Sequence, residues 1–152
     1  FRIFDLPCIN ALFRATLPHV SAADRLYFLT HQAGIFVAVT SKKVVGFGIV
    51  WRKDNQTLWL DYLGVTEKIQ GKGVGQALMG YVETLASQYR LRFVGLSTWK
   101  GNRRAIHFYQ RLGYKVIGTH IDTHGKKSFH FQKEIPLFSS ARKPPQRVQE
   151  YT

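Results

Sequence analysis

Cysteine, acidic side chains and long apolar runs are scarce in this chain of 152 residues. Cys8 is the only cysteine, which excludes an internal disulfide and a site of four cysteine ligands, and makes a reducing compartment, the cytoplasm, the expected location. The longest strongly apolar stretch, residues 44–51, is far short of the roughly 20 residues a spanning helix needs, so no membrane span is expected. No signal peptide is legible; the chain begins at Phe1 without a methionine, so an upstream segment stays open. Nine Asp and Glu stand against 22 Lys and Arg, a net charge of +13. Such a charge says little about fold and much about partners: phosphate-bearing ligands, nucleic acid or anionic surfaces. Its densest part is residues 61–115, with nine basic side chains to three acidic ones.

What is present is an ordinary globular composition, 45% apolar and 14% aromatic, which excludes a disordered tail, a collagen-like repeat and a coiled coil. The length suits one domain with a real core. A short strand at residues 1–4 leads into a helix opened by Asp5 and Pro7, carrying Ile9, Leu12, Phe13 and Leu17. Ser21-x-x-Asp24 resembles a capping box and starts a second helix, with Ala22, Ala23, Leu26 and Leu29, that stops at Gly34. Three strand-like runs follow at 35–40, 44–52 and 57–65, separated by polar turns, as in a meander of hairpins. The period then changes. Val74, Ala77, Leu78, Tyr81, Val82, Leu85, Ala86 and Tyr89 fall at helical spacing. A strand at 92–97 precedes a helix that Asn102 can cap and that carries Ala105, Phe108, Tyr109 and Leu112, with Gly113-Tyr114 placed for a Schellman ending. Residues 115–121 and 128–135 close the domain as a hairpin around residues 122–127. Residues 136–152 read as a basic, polar tail.

The segment that carries chemistry runs Gln70-Gly-Lys-Gly73-Val-Gly75-Gln76, between a strand and the long helix. A glycine-rich loop feeding a helix N-terminus offers unpaired backbone N–H groups to an anion, and the helix dipole adds to the attraction. Lys68 and Lys72 add charge nearby. Two nucleotide fingerprints fail on spacing. A Rossmann loop needs G-x-G-x-x-G with an acid about 20 residues later. A P-loop needs G-x-x-x-x-G-K-[ST], whereas Gly125-Lys126 has His120 where the first glycine belongs and Lys127 where Ser or Thr belongs.

Gln70-x-x-Gly73-x-Gly75 resembles the pyrophosphate-binding signature of the GNAT superfamily of acyl-CoA-dependent N-acetyltransferases. Asn102-Arg-Arg-Ala105-Ile-His-Phe108-Tyr109-Gln-Arg-Leu112-Gly113-Tyr114 is similar to its second motif, in the expected order and at the expected separation. The resemblance covers residues 1–135. It implies a mixed α/β (α+β) fold: a central, mostly antiparallel twisted sheet of about seven strands flanked by about four helices. It also implies acetyl transfer from acetyl-CoA to a primary amine by direct attack in a ternary complex. The pyrophosphate would be held by Gln70, Gly71, Lys72, Gly73, Val74, Gly75 and Gln76. The strand edge at Leu63 and Val65 would pair with the pantetheine arm, and Asn102 would touch the cofactor from the second helix. Tyr109 stands where the family often carries the acid that protonates the departing thiolate. The other class weighed is a non-catalytic module that keeps the fold and binds acyl-CoA or nucleic acid.

Chemistry sets the remaining expectations. A lysine-type amine has a pKa near 10.4, so neutralising it at pH 7 costs about 4–5 kcal/mol, and an α-amino group costs about 1 kcal/mol. A general base therefore helps. Asp61 shares alternation parity with Leu63 and Val65, which aims it at the same cleft as base, directly or through water; the alternative is a structural Asp at a strand end. Glu67 reads as solvated. Tyr109 stays protonated near neutral pH and can donate, although it also lies on the apolar stripe of its helix. No metal is expected from His120, His124 and His130, which fall on a strand end, a turn and a strand. Trp51, Trp59 and Trp99 read as core and cleft wall. The acceptor carries no signature. The positive charge disfavours polyamines and favours an amine attached to an anionic assembly such as a ribosome or tRNA.

Overall fold

In the computed structural model the described residues are 34–40 and 43–137. The strand expected at residues 1–4 and the two helices expected before Gly34 lie outside them, as does most of the tail. Nine elements follow in order. Strands β1 (Gly34–Thr40), β2 (Lys43–Arg52) and β3 (Thr57–Val65) come first, then a turn of 3₁₀ helix over Glu67–Ile69. Helix α1 (Val74–Gln88), strand β4 (Phe93–Trp99) and helix α2 (Arg103–Arg111) lead to the hairpin of β5 (Lys115–Ile121) and β6 (Lys127–Glu134). Every expected element within the described residues is there, with ends moved by a residue or two.

Among the described residues the sheet has six strands, in the order β1-β2-β3-β4-β6-β5. All pairings are antiparallel except β3 with β4, which is parallel because α1 intervenes as a crossover. β2 is the central plank of the first half. Its run Val45–Val50 is buried on both faces, so it reads as continuous apolar sequence rather than alternation.

One face of the sheet carries α1 and α2. Met79, Val82 and Ala86 of α1 pack there with Leu58 and Leu60 of β3, Val94 and Leu96 of β4, and Phe131 of β6. Each buried aliphatic side chain is worth about 1.5–3 kcal/mol, so this layer dominates the stability. The buried stripe of α1 differs from the expected one at its edges: Met79 is buried, Ala77 is exposed, and Tyr89 lies past the last helical turn, 57% exposed. The opposite face holds a second cluster of Val37, Phe47 and Ile49, with Tyr62 against it.

Helix α2 begins and ends as its sequence requires. Asn102 Oδ1 accepts from the Ala105 amide at 3.1 Å. Gly113, at φ 87°, ends it in a Schellman motif. Tyr114 N–H bonds to the Tyr109 carbonyl, Gly113 N–H bonds to that of Gln110, and the rings of Tyr109 and Tyr114 pack at 6.0 Å. Tyr114 and Lys133 both donate to Glu83 Oε1, at 3.1 and 2.9 Å, and so tie the end of α2 and strand β6 to α1.

Candidate active site

β3 and β4 pair for only four residues, Thr57–Leu60 against Phe93–Leu96. Beyond Leu60 the two strands part, and residues 61–65 of β3 have no β4 partner on that side, while β2 pairs with residues 62–65 on the other. A cleft of about 660 Å³ opens at this fork. It brings together Leu63 and Val65 of β3, the loop residues Gln70, Gly71 and Gly73, and Gly75 and Gln76 of α1. Asn102 and Tyr109 form part of its far wall. Of the cofactor residues expected from sequence, only Lys72 and Val74 are not among its lining.

The loop has its shape for local reasons. Gly71 and Gly73 take φ of 80° and 85°, the left-handed region that side chains disfavour. Gly73 is the N-cap of α1, and no side chain caps that first turn. The amides of Val74, Gly75 and Gln76 are therefore left to an outside acceptor, since the first helical bond runs from Ala77 N to Gly73 O. Gly75 lies close to α2: a Cβ there would stand 3.3 Å from the Phe108 ring, a tight contact to which the ring would have to yield by a few tenths of an ångström. The Gln70 side chain donates to the Val65 carbonyl at 2.9 Å, so it braces the loop onto the end of β3.

Helix α2 supplies further lining to which the motif resemblance gives no cofactor role. Arg104, His107, Phe108 and Arg111 face the cleft, at spacings of three and four residues. The signal is present as basic residues at helical spacing, but any solvated helix face shares it. Tyr109 is 8% exposed and packed against Phe108, Tyr114 and Phe131, with ring centroids 5.2–6.0 Å away. Burial pushes its phenol well above the ordinary tyrosine value, so it holds its proton at any physiological pH.

Asp61 requires a correction. Ile49 pairs with Tyr62 and Val50 with Leu60, which leaves Asp61 as the extra residue of a β-bulge. The bulge breaks the alternation on which the parity with Leu63 and Val65 depends. Asp61 does not line the cleft; its carboxylate lies on the opposite sheet face, with the indoles of Trp51 and Trp59. Burial raises its pKa above the ordinary 3.8, and the two indole N–H groups pull partly the other way. The buried Trp51 Nε1 has no partner within hydrogen-bond geometry among the described residues, so its pull is a longer-range attraction rather than a formed bond. Trp59 spreads over Gly95, where a Cβ would come within 2.9 Å of its ring. It also packs edge-on to His130 at 4.7 Å and carries the Lys53 ammonium at 4.2 Å. Desolvation, with Lys53 and His120 nearby, lowers the pKa of His130. Trp99, expected in the core or cleft wall, is instead 48% exposed at the end of β4.

Among the described residues no group of three or more His, Cys, Asp or Glu is arranged to hold a metal, and no helix is long and apolar enough to cross a membrane. The family model for the acetyltransferase (GNAT) family matches residues 6–114. The chain therefore belongs to the GNAT acetyltransferase family. A spermine/spermidine N(1)-acetyltransferase of Bacillus subtilis is 35% identical over 74 residues, 48% of this chain and 48% of that relative. The match thus spans about half the length of that relative. Ard1 from Thermoplasma volcanium superposes with a TM-score of 0.78 at 20% identity, covering 89% of this chain and 96% of its own. A GNAT family acetyltransferase from Elizabethkingia anophelis, solved with acetyl-CoA bound, gives 0.73 at 16% identity, over 88% and 94% of the two chains. At those identities the two structures establish the shared fold.

Proposed function

We propose that the protein transfers the acetyl group of acetyl-CoA to a primary amine, in a ternary complex and without a covalent enzyme intermediate. The observation that carries this reading is the fork. A strand edge with unpaired backbone groups runs straight into a left-handed glycine loop at an uncapped helix start. An extended amide-bearing arm ending in a pyrophosphate matches that sequence of features, the arm pairing with β3 at Leu63 and Val65 and the pyrophosphate meeting the amides from Gly71 to Gln76. Arg104 and Arg111 add charge for the remaining phosphate.

The cofactor then lies on the helix-bearing side of the fork, and Asp61 stands on the other. An amine arriving from the Asp61 face meets the thioester carbon at the open crotch. Its nitrogen forms the new C–N bond and gives a proton to Asp61, directly or through one water. The C–S bond breaks as the intermediate collapses, and the leaving sulfur takes its proton from Tyr109. Incubation with acetyl-CoA and a panel of amines, followed by thiol release, tests the reading. No acetyl-CoA binding by calorimetry would end it.

The acceptor reading rests on charge. The basic surplus outside the cleft supports an amine attached to an anionic assembly such as a ribosomal particle or tRNA. A steep loss of acceptor turnover with salt, at constant cofactor affinity, is expected. A flat response would remove that acceptor class. The single cysteine supports a cytoplasmic location.

A further inference from the structure

Two buried polar atoms on the Asp61 face have no partner among the described residues: Trp51 Nε1 and Ser97 Oγ. Buried hydroxyls nearly always find a partner, so each exception asks for an explanation. Ser97 is placed to have one. Leu60 and Leu96 are the last pair joined across β3 and β4, so Asp61 and Ser97 are the first residue of each strand beyond the seam. Ser97 alternates with Leu96, whose side chain is in the helix-side core, and so faces the other way. That is the face of Gly95, over which Trp59 lies, and of His130, its cross-strand neighbour, which packs on the same indole. Trp59 thus roofs one end of a small polar crotch with Asp61 on the β3 side and Ser97 on the β4 side.

The geometry points to Ser97 as a positioning residue for the acceptor's amine nitrogen, which it would share with Asp61. The inference rests on the acetyl-CoA reading above. Neighbouring strands stand about 4.8 Å apart where they pair, and one nitrogen donating two hydrogen bonds bridges acceptors about that far apart; Asp61 and Ser97 lie one residue past the last paired rung, where the strands begin to part. A neutral primary amine has two N–H groups and one lone pair. With one N–H donated to the Asp61 carboxylate and the other to Ser97 Oγ, the lone pair is left to point into the fork, toward the thioester carbon. No other group among the described residues satisfies Ser97, so the acceptor capacity of its hydroxyl is unused; the atom is buried in the ligand-free structure, and the arriving amine has to uncover it.

The test needs no knowledge of the acceptor. S-(2-aminoethyl)-CoA carries an ammonium near where an acceptor nitrogen would sit, and S-propyl-CoA is its neutral counterpart of nearly equal size. Calorimetry on the wild-type chain should show the aminoethyl compound bound about tenfold more tightly. Ser97→Ala and Asp61→Asn should each remove most of that preference while leaving S-propyl-CoA affinity unchanged. Ser97→Thr, which keeps the hydroxyl on a strand that accepts β-branched residues, should restore it. Because the hydroxyl has no partner among the described residues, Ser97→Ala should melt no lower than wild type, an outcome a structural role would not give. Equal binding of both compounds by the wild type, or a preference untouched by Ser97→Ala, would overturn the inference alone. Failure of S-propyl-CoA and acetyl-CoA alike to bind would overturn the cofactor reading and this inference with it.

Discussion

Leu60 and Leu96 stand side by side at the last rung of the parallel seam, and one residue further on the sheet divides. Everything proposed for this protein is arranged about that division: an edge and an anion loop on one face, an acid and a free hydroxyl on the other.

The glycine loop gives the first prediction. Gly73→Ala and Gly73→Glu share the backbone strain of φ 85°, about 1–2 kcal/mol, but only the second adds an anion. No atom lies within 4 Å of a Cβ there, so neither variant is expelled by the protein's own packing. Calorimetry should find acetyl-CoA affinity lost in Gly73→Glu and reduced less than about tenfold in Gly73→Ala. Equal loss in both would assign the effect to backbone shape instead of charge.

Tyr109→Phe isolates the proposed acid. The ring contacts persist and only the hydroxyl goes, so acetyl-CoA should bind as in wild type while turnover falls by about a hundredfold. Since burial keeps the phenol protonated, no decline in wild-type turnover between pH 7 and 10 should trace to its ionisation. A basic limb abolished by the Phe variant would contradict this.

For Asp61 the sign of the pH effect follows from burial. A base must be ionised, so kcat/KM should fall as pH drops through a pKa above the ordinary 3.8, and Asp61→Asn should remove that limb together with most of the turnover. Stability runs the other way. The native state holds this proton more tightly than the unfolded chain, so the contribution is fully present below the unfolded pKa and lost as pH rises through the folded one. At pH 7 Asp61→Asn should therefore melt at or above wild type, with its advantage vanishing in acid. Thermal scans at both pH values check it.

Glu83 is a structural control. It accepts from both the buried Tyr114 hydroxyl and Lys133, so Glu83→Ala leaves a buried donor unpaired and should cost about 1–3 kcal/mol in urea unfolding. Acetyl-CoA affinity should change less than twofold, because Glu83 does not line the cleft.

Much of this is legible in the sequence. The α1 period, the Asn102 cap and the Gly113-Tyr114 ending are local matters, and each takes the expected form. Much of the fork's lining is legible through the family resemblance, down to Leu63, Val65 and Asn102, while Arg104, His107, Phe108 and Arg111 are not. What stays hidden depends on register. The bulge at Asp61 arises from how β3 pairs with β2, and Asp61-Tyr62-Leu63 looks like plain alternation until Ile49 is found opposite Tyr62. The same holds for Ser97, an ordinary strand serine whose meaning comes from where the parallel seam ends. Trp51 and Trp59 are readable as apolar bulk, but their gathering around one carboxylate is a tertiary fact.

The short seam also bears on how the sheet holds together. On one side lie β1, β2 and β3, a meander closed by contacts near in sequence; on the other lie β4, β6 and β5. Four parallel rungs join the two blocks within the sheet, and the helices bridge them from one side. Sub-global opening is cheapest where the fewest bonds must break together, so amide exchange should treat these blocks as separate cooperative units hinged at Leu60 and Leu96. A ligand that lays its own amides along β3 adds rungs at the place where the sheet runs out of them. It would then act as a splint, and protection on both sides of the fork would rise together when it binds.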